Sequence, residues 1–232
     1  MRKLFLIPSL LSETDSFEVL PSRVTDVIKD LTQFIVEDIR EARRFLSKVV
    51  RNIKFAHLSF CVLNEHTKPN EISELLSFIQ NSDTGIITDA GVPGVADPGA
   101  EIIRIAHLNN IQIVPLVGPS SILMALMSSG LNGQNFAFVG YLPIKTQERI
   151  KRIRELEKRS LIEKQTQIFI EAPYRNMQLL NDILSNCRIS TLLTIAADIT
   201  GRNEFIRTRT IKEWKEKIPE LNKIPTVFLL QS

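Results

Sequence analysis

One loop holds most of the residues in this chain that are suited to chemistry. It reads Thr88-Asp89-Ala90-Gly91-Val92-Pro93-Gly94-Val95-Ala96-Asp97-Pro98-Gly99. The apolar run Gly85-Ile86-Ile87 enters it, and a helical pattern over 100–106 leaves it. Eight of the nine glycines lie between Gly85 and Gly140, and the loop is their densest cluster. Glycine lets a backbone approach closely, proline stiffens the turn, and aspartate accepts from a ligand hydroxyl or caps a helix. The spacing of Gly91, Gly94 and Gly99 matches neither the Walker phosphate loop nor the Gly-x-Gly-x-x-Gly fingerprint. That argues against a P-loop ATPase and a Rossmann dehydrogenase. A plain strand-to-helix turn needs fewer glycines, prolines and aspartates than this, so the loop reads as ligand-binding.

The chain around it has 232 residues, enough for one large or two small domains. Its 44% hydrophobic and 24% charged content is ordinary for a globular protein, and a net charge of +3 is weak support for a polyanionic partner. Cys61 and Cys187 stand far apart, without the spacing of a disulfide framework or a zinc site. They fit a reducing compartment. No stretch reaches the length of a membrane span, and Met1–Pro8 is too short for a signal peptide. The expectation is a soluble cytoplasmic protein that binds no metal.

Strand-length apolar runs alternate with helical patterns. Strands are expected at 4–7, 33–36, 84–88 and 111–116, and helices at 24–31, 39–50, 72–79 and 100–108. This alternation predicts a largely parallel sheet covered by helices. A second block follows Gly118-Pro119-Ser120-Ser121. It has helices at 122–129, 145–164 and 177–184, strands at 136–139, 167–170, 192–197 and 226–230, and Trp214 as core. Each half therefore has its own sheet, and the expected division is 1–116, an N-terminal α/β domain with the glycine loop, and 117–232, a C-terminal α/β domain.

Several motifs in order carry a resemblance. Residues 89–99 resemble the "DAGTPGISDPG" signature of the ribosomal RNA small-subunit methyltransferase I family, in the tetrapyrrole methylase superfamily. Residues 114–121 resemble "VVPLPGPSA", Gly140-Tyr141-Leu142-Pro143 with Lys145 and Arg149 resembles "GFLPRKxxER", and residues 169–175 resemble "FYESPHR". Glu37-Asp38-Ile39-Arg40 resembles "EDTR", and Glu65-His66 resembles part of "HEHN". The likeness runs from about residue 23 to the end.

The resemblance implies two α/β domains of the tetrapyrrole methylase type, with S-adenosyl-L-methionine held in the cleft between them. The donor positions it implies are Pro8, Ser9, Asp89, Ala90, Gly91, Val92, Pro93, Gly94, Asp97, Ser120, Ser121, Ile170 and Ala196. It further implies 2′-O-methylation of a cytidine in 16S ribosomal RNA, the small ribosomal subunit as partner, and a homodimer. The chain departs from the family at three places. "TPIGN" is Ile7-Pro8-Ser9-Leu10-Leu11, "RELTK" is Ala197-Asp198-Ile199-Thr200-Gly201, and the histidine of "SPHR" is Tyr174.

A ribose hydroxyl is a poor nucleophile at neutral pH and gains from a general base. Glu171, Glu37 and His66 are the catalytic candidates, with Glu171 first because it ends a strand beside Pro173 and Arg175. Arg40, Arg43 and Arg44 fall within one helical turn and are expected to meet RNA phosphates, as are Lys145, Arg149 and Arg175. Two other functions fit the same residues: methyl transfer to a small molecule such as a tetrapyrrole, and non-catalytic RNA binding or assembly.

Overall fold

The computed structural model describes residues 2–13, 16–64, 67 and 72–232. They form two compact units, Met1–Ser120 and Ser121–Ser232.

The first unit runs β1 (Lys3–Ile7), α1 (Ser16–Val19), α2 (Ser22–Asp30), β2 (Gln33–Val36), α3 (Ile39–Val49), β3 (Ser59–Val62), α4 (Ile72–Asn81), β4 (Thr84–Ile87), α5 (Gly99–Leu108) and β5 (Gln112–Pro115). Its five strands are all parallel, in the order β3-β2-β4-β1-β5. Both faces are covered, which is why β2 and β4 are buried at every position. Alternate residues of β1 divide between the faces: Phe5 and Ile7 pack with α2 and α3, and Leu4 packs with α4 and α5. Asp38 caps α3 by accepting from the amides of Arg40 and Glu41. That helix buries Ala42, Phe45, Leu46 and Val49, each of the larger three worth about 1.5–3 kcal/mol of burial. Its arginines face outward. Asn110, at φ 54°, turns the chain out of α5.

The second unit runs α6 (Ser121–Ser129), β6 (Phe136–Tyr141), α7 (Thr146–Glu163), β7 (Thr166–Ile170), α8 (Asn176–Asn186), β8 (Leu192–Ala197), β9 (Phe205–Thr210), α9 (Ile211–Glu216) and β10 (Thr226–Gln231). The strand order is β6-β7-β10-β8-β9. Only β6 and β7 are parallel; β10 and β9 run antiparallel to their neighbours. β9 was not among the expected strands. A short turn joins it to β8, and a short connection permits only antiparallel pairing. Trp214 sits in the core as expected, 1% exposed, with its indole N–H donating to the Leu193 carbonyl at 2.8 Å.

Candidate active site

In the first unit the end of β1 meets the glycine loop, which leaves the end of neighbouring β4. These are the carboxyl ends of adjacent parallel strands, where open α/β sheets present ligand-binding groups. The Ser9 amide donates to the Gly91 carbonyl at 2.8 Å. A Cβ on Gly118 would collide with the Pro8 ring, so the Pro-Ser segment also passes close to the end of β1. Pro8, Ser9, Gly91 and Pro93 are buried, while Asp89 and Ala90 are exposed and Val92 is half-buried. The Ser9 hydroxyl is buried with no hydrogen-bond partner. A buried polar atom without a partner is rare and calls for an explanation.

Gly91 and Gly94 both have φ of 82°, a conformation that disfavours any side chain. Asp97, expected as a donor contact, also fastens the loop itself. Its Oδ1 accepts from the Gly94 amide at 2.8 Å and the Gly99 amide at 2.7 Å, fastening the two ends of the turn.

Glu37 follows β2. Its Oε1 accepts from the Thr88 hydroxyl at 2.6 Å and the Asp89 amide at 3.1 Å. It thus ties the β2 end to the start of the glycine loop, which makes it a positioning group in this structure. Burial pushes its carboxyl above the usual range, against the two hydrogen bonds and with help from the charges of Asp97 and Asp89. Burial likewise raises Asp89, with Asp38, Glu41 and Asp97 adding to it. Beside these residues opens a cleft of about 210 Å³, whose walls include Ser9, Glu41, Arg44, Lys48, Thr88 and Asp89. Thr88 and Glu41 carry no motif of their own. The available signal for Thr88 was its place at the carboxyl end of a buried parallel strand. His66, with Glu65, lies outside the described residues.

In the second unit Ser121 opens α6. Ile170 and Ala196 both register with Val227, so they flank one residue of the central strand. Glu171 follows β7 and is 4% exposed. Its Oε1 accepts from the Ala172 amide at 2.7 Å and from Arg175 Nη2 at 2.6 Å, while its Oε2 is buried with no partner. Arg175 is engaged by Glu171 and by the Tyr174 hydroxyl, with 21% of its side chain exposed. It braces that carboxylate and offers little to RNA.

Arg149 needs a correction. Expected at RNA, it is 1% exposed. It pairs with Asp182 at 2.7 Å and donates to the carbonyls of Ile144 and Pro143. A guanidinium enclosed by its own fold cannot reach a phosphate. Lys145 is exposed, 3.3 Å from Glu148. Arg40, Arg43 and Arg44 are all exposed on α3.

The architecture is shared with a solved methyltransferase. The methyltransferase CobJ superposes with a TM-score of 0.66 at 14% identity, covering 100% of this chain and 94% of that one. The likeness is one of fold, and each of the two units here has its own sheet. No family model matches the chain. Ribosomal RNA small subunit methyltransferase I of Xylella fastidiosa is 30% identical over 192 residues, 83% of this chain and 67% of that protein. The Bacillus subtilis protein of the same name is 29% identical over 217 residues, 93% of this chain and 66% of its own. That of Synechocystis is 28% identical over 183 residues, 78% of this chain and 62% of its own. The chain thus spans about two thirds of the length of these relatives. It belongs to the ribosomal RNA small subunit methyltransferase I family.

Proposed function

We propose that this protein transfers a methyl group from S-adenosyl-L-methionine to a ribose 2′-hydroxyl of a cytidine in 16S ribosomal RNA. Its relatives are named as methyltransferases of small-subunit ribosomal RNA, and that name is the basis for the RNA substrate. The observation that carries the reading is the glycine loop. It is fastened by Asp97, tied to the β2 end by Glu37 and joined to the β1 end through Ser9.

The residues fit the donor. It has a ribose diol, an adenine and an amino-acid tail, which suit exposed backbone groups and small side chains better than a row of charges. The unpartnered Ser9 hydroxyl offers a hydrogen bond that the protein itself leaves unused. Asp89, exposed at the loop's start, is placed to accept from hydroxyls. S-adenosyl-L-methionine, when bound, supplies an electrophilic methyl group on a sulfonium. The chain supplies position, which can provide much of the acceleration of a displacement. Ala90, Val92, Pro93 and Ser120 are the proposed donor contacts of the first unit, and Ser121, Ile170 and Ala196 those of the second. Glu171 is the first catalytic candidate, and its buried, unpartnered Oε2 supports that reading. Glu37 holds the loop. A soluble cytoplasmic setting and a homodimer complete the reading. Among the described residues no helix is long and apolar enough to cross a membrane.

The test is transfer of a labelled methyl group to small ribosomal subunits lacking the modification, with the modified nucleotide identified by mass spectrometry. Label on a cytidine ribose supports the proposal. Label on a small tetrapyrrole instead, or no transfer by protein that binds the donor in calorimetry, refutes it.

A further inference from the structure

We infer that Arg43 is a stacking platform for an unpaired base of the RNA. The inference rests on the reading of RNA as substrate and adds the surface and the mode of contact. Arg43 is exposed on α3, yet it is not loose. Its guanidinium carbon lies 5.6 Å from the ring centre of Phe55 and 5.5 Å from that of Phe60. Phe60 in turn stacks on Phe34, with ring centres 5.9 Å apart, and Phe34 is fully buried. A surface cation is thus tethered to the core through two half-buried rings.

Most arginines with a resolved partner in this chain are neutralised. Arg44 pairs with Glu41, Arg104 with Glu101, Arg152 with Glu155 and Arg159 with Glu163. Among the described residues no carboxylate pairs with Arg43. The same holds for Arg40, one turn earlier on α3. Lys54, beside Phe55, is exposed and adds to the positive face. A basic face attracts phosphates. A planar guanidinium ordered in advance also loses less freedom on binding, and its face stacks on bases. Bases in a duplex are covered by their neighbours, so an unpaired base is the partner this geometry fits.

Affinity for a labelled single-stranded oligoribonucleotide, and for the duplex of the same strand, is measured by fluorescence anisotropy across a salt series. The variants are Arg43→Lys, which keeps the charge and loses the plane, and Phe55→Leu, which loosens the tether. Arg159→Ala serves as the control. Circular dichroism and donor calorimetry establish that each variant is folded. Stacking one base is worth a factor of about 5 to 150 in affinity. Arg43→Lys is expected to lose that factor for the single strand and almost nothing for the duplex, with an unchanged salt slope. Phe55→Leu is expected to lose less, in the same direction. Wild-type affinity of Arg43→Lys for the single strand overturns the inference, as does an equal loss on both RNAs. Neither result touches methyl transfer to ribosomal subunits by the wild-type protein, whose failure would sink the functional reading instead.

Discussion

Removing the Asp97 carboxylate isolates the fastening of the glycine loop. One oxygen accepts from two amides, at 2.8 and 2.7 Å. Hydrogen bonds to a charged acceptor are worth about 1.5–3 kcal/mol each. Two donors share one oxygen here, and Gly94 is half-exposed, so water replaces part of the loss. Asp97→Ala should therefore cost about 2–4 kcal/mol in holding the loop's shape. Much of that should appear as local opening, because the loop's own turn is what the carboxylate holds. If S-adenosylhomocysteine binds the closed loop, it must reclose it, and its affinity should fall about thirtyfold or more. Asp97→Asn keeps an acceptor and loses the charge, so it should lose roughly half as much. It also removes a negative charge facing Glu37 and Asp89, and both carboxyls should then titrate at lower pH. Urea denaturation, calorimetry with S-adenosylhomocysteine and carboxyl titration by NMR give the three readouts. An Asp97→Ala protein with wild-type stability and donor affinity would refute the fastening argument.

Three further outcomes follow from the same structure. Arg149→Met should lower unfolding free energy in urea by about 3–5 kcal/mol, because it leaves Asp182 and two carbonyls without their donor; RNA affinity of the folded fraction should not change. Gly94→Ala combines φ of 82° with a Cβ 2.8 Å from the Ile103 side chain, and should cost at least about 1–2 kcal/mol in the same assay. Glu37 sits above its ordinary value of 4.5, so the folded state holds its proton more tightly than the unfolded chain does. Its contribution is then most favourable below 4.5 and is lost as pH rises through the folded value. Glu37→Gln keeps an acceptor for Thr88 and Asp89 but cannot titrate. The difference between wild-type and variant melting temperatures should therefore tilt against the wild type as pH climbs through that window.

The buried parallel strands were legible because their apolar runs are unbroken, and α3 and α7 because their periodicity is clear. β3 went unread: Ser-Phe-Cys-Val is four residues long, lies on a sheet edge and is at most half-buried. β9 went unread because Arg207 and Arg209 interrupt its apolar character, as charges on an edge strand do. The role of Arg149 depends on Asp182, 33 residues further on, so nothing in α7 distinguishes it from its exposed neighbours. The glycine loop was visible as a motif, but the contacts that hold it were not. Asp97 reads as a ligand contact, and nothing in the motif shows that its Oδ1 also accepts from the amides of Gly94 and Gly99.

The strand order of the first unit bears on when the loop takes shape. β1 and β2 are not hydrogen-bonded to each other; each pairs with β4. During synthesis the two earlier strands have no shared partner until residues 84–87 emerge, and the next residues to emerge are those of the glycine loop. In the second unit β10 lies between β7 and β8, although it follows both in the chain. That sheet stays as two separate pieces until residues 226–231 arrive. The first unit can close before the second is made, and the second must wait for β10.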